Sequence, residues 1–345
     1  MKITVIGFDL AKNVFQLHGV DAQSKTVLKK QLPRSKMLAY FANLPPCCIG
    51  MEACGGAHYW ARQLRRYGHD VRLMAPQFVK PYVKTNKNDA ADAEAICEAV
   101  TRPNMRFVPI KTEEQQSILS VHRAREGFVK SRTAQANAIR GLLNEFGIVI
   151  AQGIRQIAIR LPEILEDAEN ALPDTFRQLL QRLGEHLKEL DRQVTELEKE
   201  IQYWHRENPD SQRLSEIPGI GPITASALVA SIGDARSFSS GRQLAAWLGL
   251  VPRQCSSGGK PVLLGISKRG DKYLRTLLIH GARTVVQHIT DKTGRTANWL
   301  NSLLLRRNTN VAVVAMANKN VRIVWALLTH DREFNADYCS TGASF

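Results

Sequence analysis

A heptad repeat constrains this chain more than any other feature. Phe176, Leu180, Leu183, Leu187, Leu190, Val194, Leu197, Ile201 and Trp204 recur in alternating steps of four and three, with charged residues between them. Apolar side chains at that spacing form one narrow stripe along a helix, and a stripe this long calls for a second helix to cover it. The pattern predicts a coiled coil; the alternative is an amphipathic helix packed on its own domain. The repeat also divides the 345 residues into an N-terminal part, 1–150, a helical middle, 151–208, a C-terminal part, 209–335, and a short tail, 336–345.

The N-terminal part alternates strand and helix signals. Ile3–Phe8, Val14–Val20 and Lys25–Leu32 read as a three-stranded meander. Met37–Leu44 reads as a helix stopped by Pro45 and Pro46, Cys47–Met51 as an apolar strand, His58–Tyr67 as a helix ending at Gly68, and Val71–Ala75 as a strand, with helix again from Asn88. The order βββαβαβα predicts helices covering a mixed sheet. A further helix, Glu113–Phe146, carries a basic side formed by Arg123, Arg125, Lys130, Arg132 and Arg140.

Charge narrows the partner. Lys plus Arg number 47 against 32 Asp plus Glu, a formal net charge of +15. Such a balance points to a polyanion, and nucleic acid is the commonest. No uninterrupted run of ~18 apolar residues suggests a membrane span. Asp9 falls where a secretory leader would be apolar. The six cysteines, without a CxxC pair, read as small hydrophobes of a reducing compartment. The expectation is a cytoplasmic protein with no membrane partner, associated with the bacterial nucleoid.

Four acids stand where chemistry could use them. Asp9 follows the first strand, Glu52 ends the apolar strand, and Asp89 and Asp92 lie three residues apart on a predicted helix, hence on one face. Clustered carboxylates are the hard oxygen donors that Mg²⁺ prefers, and two such ions can stabilise both oxygens of a phosphodiester displacement. Each acid has a plainer reading as a turn former, or for Asp89 as a helix cap.

In the C-terminal part, Pro218-Gly219-Ile220-Gly221-Pro222 precedes a small-residue helix. It reads as a helix–hairpin–helix whose glycines and helix-start amides grip a DNA backbone, or as a plain helical turn. Between Arg253 and Arg283 there are seven cationic residues, including Arg253, Lys260, Lys268 and Arg269, and one acid, Asp271. They surround Ser256-Ser257-Gly258-Gly259. A serine beside glycines and ringed by cations is a candidate nucleophile for a phosphate, with a flexible loop as the alternative.

In sequence order, Gly-Phe-Asp-Leu-Ala-Lys, Met-Glu-Ala-Cys-Gly, Lys-Asn-Asp-Ala-Ala-Asp-Ala, Pro-Gly-Ile-Gly-Pro, Trp-Leu-Gly-Leu-Val-Pro-Arg, Ser-Ser-Gly-Gly-Lys, Gly-Ile-Ser-Lys-Arg-Gly-Asp and Ala-Asn-Lys-Asn-Val-Arg-Ile-Val-Trp-Ala-Leu-Leu resemble the DEDD insertion-sequence transposases of the Piv/MooV type from about residue 3 to about 330. The resemblance implies a RuvC-like, RNase H-fold domain over 1–150 with Asp9, Glu52, Asp89 and Asp92 binding Mg²⁺. It also implies a mostly α C-terminal domain whose nucleophilic serine falls on Ser257, with Ser256 one residue away. It further implies strand cleavage and rejoining through a phosphoserine, a structured bridge RNA pairing with donor and target DNA, and a homo-oligomer, a dimer assembling to a tetramer. The rival expectation is a RuvC-like Holliday-junction endonuclease that uses metal-activated water.

Overall fold

The computed structural model describes residues 2–84, 88–289 and 293–335. The tail 336–345, Cys339 within it, and Lys87 of the Lys-Asn-Asp motif lie outside the described residues. Contacts divide the chain into two compact units, Met1–Thr112 and Glu113–Phe345. The expected boundary near 150 lies inside the second unit, because the helix that begins at Glu113 packs on the heptad helix.

The first unit is built on β1 (Val5–Asp9), β2 (Val14–Val20), β3 (Thr26–Pro33), β4 (Cys48–Glu52), β5 (Asp70–Met74) and β6 (Phe107–Val108), in the order β3-β2-β1-β4-β5-β6. The first three strands form the antiparallel meander, β4 and β5 run parallel to β1, and β6 closes the edge antiparallel to β5. Helices α1 (Met37–Ala42), α2 (Ala57–Arg66), the short α3 (Pro76–Val79) and α4 (Asp89–Val100) flank the sheet. Strand alternation decides which face each residue serves. Ile6, Phe8, Ile49 and Met51 pack with Phe41 and Trp60. Val5 and Cys48 belong to the cluster around α4, and a Cβ on Gly7 or Gly50 would strike that helix. The mixed sheet with flanking helices matches the α/β expectation for this part of the chain.

The second unit is nearly all helix. It comprises α5 (Glu113–Asn144), α6 (Ile154–Glu166), α7 (Asp174–Glu207), α8 (Pro209–Ser215), α9 (Pro222–Ile232), α10 (Gly241–Trp247), α11 (Lys272–Gln287), α12 (Arg295–Leu304) and α13 (Thr309–His330). One hairpin, β7 (Pro252–Gln254) with β8 (Leu263–Ile266), interrupts them. The Ser/Gly content of that stretch hid the hairpin from the sequence reading, and β6 escaped it because two residues carry no periodic pattern.

The heptad helix is real, and its partner is the chain's own α5. The two run antiparallel: Trp204 Nε1 donates to Glu114, Arg125 Nε to Glu198 at 2.9 Å, and Gln135 Nε2 to the Leu183 carbonyl. Leu180, Leu187, Leu190, Val194 and Ile201 are buried, and Phe176 stacks on Phe146 at 4.2 Å. The seam therefore offers no open stripe to a second subunit. Leu187→Asp should cost about 4 kcal/mol by burying an unpaired carboxylate. Urea denaturation should show that loss at every protein concentration; a loss confined to dilute protein would make the seam an interface after all.

A buried polar network joins α5 to the C-terminal helices. His122 Nε2 lies 3.1 Å from Ser226 Oγ and Nδ1 lies 3.0 Å from the Tyr273 hydroxyl. Ser226 donates to the Pro222 carbonyl at 2.7 Å, so it accepts from His122 Nε2–H, leaving Nδ1 to accept from Tyr273. Burial first, and the nearby Arg125 second, lower the imidazole to about 4 and hold it neutral.

By length and composition alone, α13 passes as a membrane-crossing helix, with a mean hydropathy of 1.4. This departs from the sequence expectation, because a windowed mean averages over Asn318, Lys319, Asn320 and Arg322. Ala312, Val313, Met316, Ala317, Val321 and Val324 are buried in the second unit's own core.

Candidate active-site acids and serine hairpin

Period two puts Asp9 and Glu52 on the α4 side of the sheet, because Val5, Gly7 and Asp9 alternate with Ile6 and Phe8, and Cys48, Gly50 and Glu52 with Ile49 and Met51. The close approach of α4 depends on two missing side chains. A Cβ on Gly7 would lie 2.0 Å from the Ala93 carbonyl oxygen, and one on Gly50 would lie 2.7 Å from the Val100 Cβ. The glycines let the helix rest on the strands and carry Asp89 and Asp92 to the end of β1. Asn88 is the N-cap, accepting from the Ala91 amide at 2.8 Å. That duty does not fall on Asp89, so both aspartates project from the first turn.

Oxygens of Asp9, Asp89 and Asp92 all lie within 4.8 Å of one another. Asp9 is raised to about 6, by burial first and then by Asp92, Asp89 and Glu52 in that order. Glu52 is thus close enough to act on Asp9 electrostatically, yet it is not one of the three whose ligand atoms converge. A half-buried set of hard oxygens that repel one another is short of positive charge, and the donor chemistry fits a divalent cation such as Mg²⁺. Neither Gly7 nor Gly50 was singled out in the sequence, although a glycine two residues before an acid on each of two strands was the available signal. Gly7→Ala should force α4 off the sheet at a cost of ~2–4 kcal/mol. It should also abolish any rise in melting temperature on adding Mg²⁺, and an unchanged rise would mean that α4 does not position the acids.

The second unit holds the serines on its hairpin. Gly258 and Gly259 have φ of +54° and +77°, the paired positive values of a two-residue type I′ turn. The Lys260 amide closes the turn by donating to the Ser257 carbonyl at 3.1 Å. Ser256 Oγ is used within the hairpin, accepting from Gln254 Nε2 at 3.0 Å and from the Val262 amide at 3.3 Å. The Ser257 hydroxyl is exposed and has no hydrogen bond among the described residues. Ser257 pairs across the hairpin with Lys260, which puts a cation beside it.

Lys268 and Arg269 sit on a rigid loop. Lys268 has φ +54°, and its amide donates to the Gly249 carbonyl at 3.1 Å. A Cβ on Gly249 would lie 2.0 Å from the Arg269 carbonyl oxygen, and one on Gly270 would lie 1.9 Å from that of Trp247. Both cationic side chains are exposed, as is Arg253 on β7.

Other predicted nucleic-acid contacts are committed elsewhere. Arg125 is tied to Glu198 and Arg132 to Asp191. Arg140 donates to the Gly153 carbonyl at 2.6 Å and to that of Ala151 at 3.3 Å. Arg125 and Arg132 hold α5 to α7, whose acids they face, and Arg140 ties the end of α5 to the loop before α6. Arg123 remains exposed, and Lys130 keeps most of its surface beside Glu126. Gly219, at φ +88°, is pressed against Gly281 of α11, so its missing side chain serves helix packing; Gly221, the N-cap of α9, is exposed.

Two family models match the chain, and the first runs past the first unit through α5. Residues 6–148 match a transposase family of the DEDD, IS110 type, and residues 211–297 match the family described as Transposase IS116/IS110/IS902. A probable family 20 transposase of Pseudomonas aeruginosa is 54% identical over 332 residues, covering 96% of this chain and 98% of the relative. The transposase for insertion sequence element IS1111A of Coxiella burnetii is 46% identical over 96% of this chain and 91% of the relative. The transposase for IS1328 of Yersinia enterocolitica is 45% identical over 96% and 99%. The acid-bearing RNase H-like unit and the serine-bearing helical unit therefore belong together in one DNA-cleaving and rejoining enzyme, and the chain is a member of the IS110/IS116/IS902 family of insertion-sequence transposases.

Proposed function

We propose that the chain cuts and rejoins DNA by a metal-assisted serine mechanism, and that the convergence of Asp9, Asp89 and Asp92 carries this reading. Those three, with Glu52 beside them, would hold Mg²⁺. A bound divalent cation would polarise a phosphate oxygen and offset its charge. Ser257 Oγ forms a new P–O bond at the scissile phosphate as the bond to one DNA oxygen breaks. The proton lost by the serine balances the one gained by the departing DNA hydroxyl. The phosphoserine keeps the bond energy, and attack by a DNA hydroxyl rejoins the strand and releases Ser257. The exposed hydroxyl of Ser257, with Lys260 opposite, supports its assignment over Ser256.

Arg253, Lys260, Lys268 and Arg269 would steady the DNA backbone, with Gly221 at the hairpin turn and Arg123 and Lys130 on α5 as further phosphate contacts. A structured bridge RNA would choose donor and target, and a homo-oligomer, dimer to tetramer, would hold the strands. Incubating the protein with labelled element-end DNA tests the chemistry on a denaturing gel. A slow protein-linked band should appear with Mg²⁺ and vanish with EDTA. Metal-dependent nicks without any protein-linked band would promote the water-nucleophile endonuclease.

A further inference from the structure

A groove along α13 of the second unit has no part in this chemistry. It follows α13 from Asn308 to His330 and has a volume of about 1490 Å³. That exceeds the ~300–1,000 Å³ of a typical small-molecule pocket, and the 22-residue helix beside it is ~33 Å long. A polymer fits such a trough better than a metabolite does. Most of the wall is apolar, with Trp299 and Ile323 among its residues.

Its charge is one-sided. The lining holds four Arg or Lys side chains, Lys319, Arg322 and Arg295 among them, against one carboxylate, Glu333. Lys319 is the informative one. It is half buried, its Nζ lies 4.7 Å from the Trp299 ring centroid, and its hydrogen-bond acceptor is the neutral hydroxyl of Thr296 at 3.2 Å. It pairs with no carboxylate among the described residues, and burial lowers its pKa. A partly desolvated ammonium without a counter-ion is a site short of an anion.

We propose that this groove binds a single strand of nucleic acid, with a backbone phosphate at Lys319 and unpaired bases against the apolar wall around Trp299 and Ile323. The proposal rests on the reading of the chain as a nucleic-acid enzyme. Duplex DNA keeps its base faces stacked inside and presents only phosphates and groove edges, so it has no use for an apolar wall. A single strand offers both an anionic backbone and apolar base faces. The strand is DNA opened during exchange or a segment of RNA, and the two share this chemistry.

The test is fluorescence anisotropy of the full-length protein with labelled oligothymidylate, oligouridylate and a hairpin duplex. Lys319→Met keeps the stem that covers Trp299 and removes the charge. It should weaken single-strand binding about tenfold, in line with the loss of one phosphate contact at a partly desolvated ammonium, and change duplex binding less than about twofold. The strand that loses more identifies the source as DNA or RNA. Arg322→Gln, at the exposed rim, gives the same test if the Lys319 variant does not fold. Equal loss on duplex and single strands, or no loss on either, overturns the proposal. Strand cleavage by the wild-type protein is scored in parallel, so failure of the groove and failure of the acid-and-serine chemistry give different results.

Discussion

Asp9→Asn melts at a higher temperature than the wild type in EDTA, and it cuts no DNA. The first half of this expectation comes from the carboxylates crowded within 4.8 Å. Burial and three neighbouring acids push Asp9 up to about 6, so at pH 7 and above the metal-free fold bears the cost of a charge it resists. The sign follows directly. The folded state holds the proton more tightly than the unfolded chain does, so this group contributes stability at low pH that is lost as pH rises through about 6. Removing the charge should return about 1 kcal/mol at pH 8, a figure discounted because Asp9 is only half buried. The second half comes from ligand chemistry. A neutral amide is a poor donor for Mg²⁺, so cleavage and the metal-induced rise in melting temperature should both disappear. An acid that merely shaped a turn would give neither the gain nor the loss. An Asp9→Asn protein that melts lower than the wild type without metal would remove the idea of a repulsive, metal-seeking cluster.

Ser257→Ala forms no covalent protein–DNA adduct, while Ser256→Ala keeps most of it. The two hydroxyls are neighbours in sequence but differ in hydrogen bonding. Ser256 Oγ accepts from Gln254 and from the Val262 amide, so its loss should loosen the hairpin by about 1 kcal/mol and slow the reaction modestly. Ser257 stands at the turn, exposed and opposite Lys260, and its loss should remove the nucleophile outright. DNA binding by Ser257→Ala should stay within about twofold, because a single hydroxyl adds little to a phosphate-driven interface. Peptide mapping of the trapped adduct checks the same point by locating the modified serine. An adduct that survives in Ser257→Ala and vanishes in Ser256→Ala moves the assignment by one residue. Survival in both variants ends the serine mechanism.

Much of the site was legible in the chain itself, because local periodicity fixes which way a side chain faces. Alternation along two short apolar strands places Asp9 and Glu52 on one face, and the three-residue step from Asp89 to Asp92 puts both on one turn. The heptad dictates a long helix with a stripe to bury. Periodicity carries no information about what lies opposite, and there the tertiary structure decided. The stripe of α7 is covered by α5, so a pattern that reads equally well as a subunit interface is internal. The same pairing turns Arg125 and Arg132 from a basic face into ties to Glu198 and Asp191. Convergence of Asp9 with Asp89 and Asp92 depends on α4 resting on Gly7, a contact between residues almost ninety positions apart that no local pattern encodes. The different surroundings of Ser256 and Ser257 likewise arise only in the folded hairpin, where the first hydroxyl is hydrogen-bonded across the strands and the second is exposed.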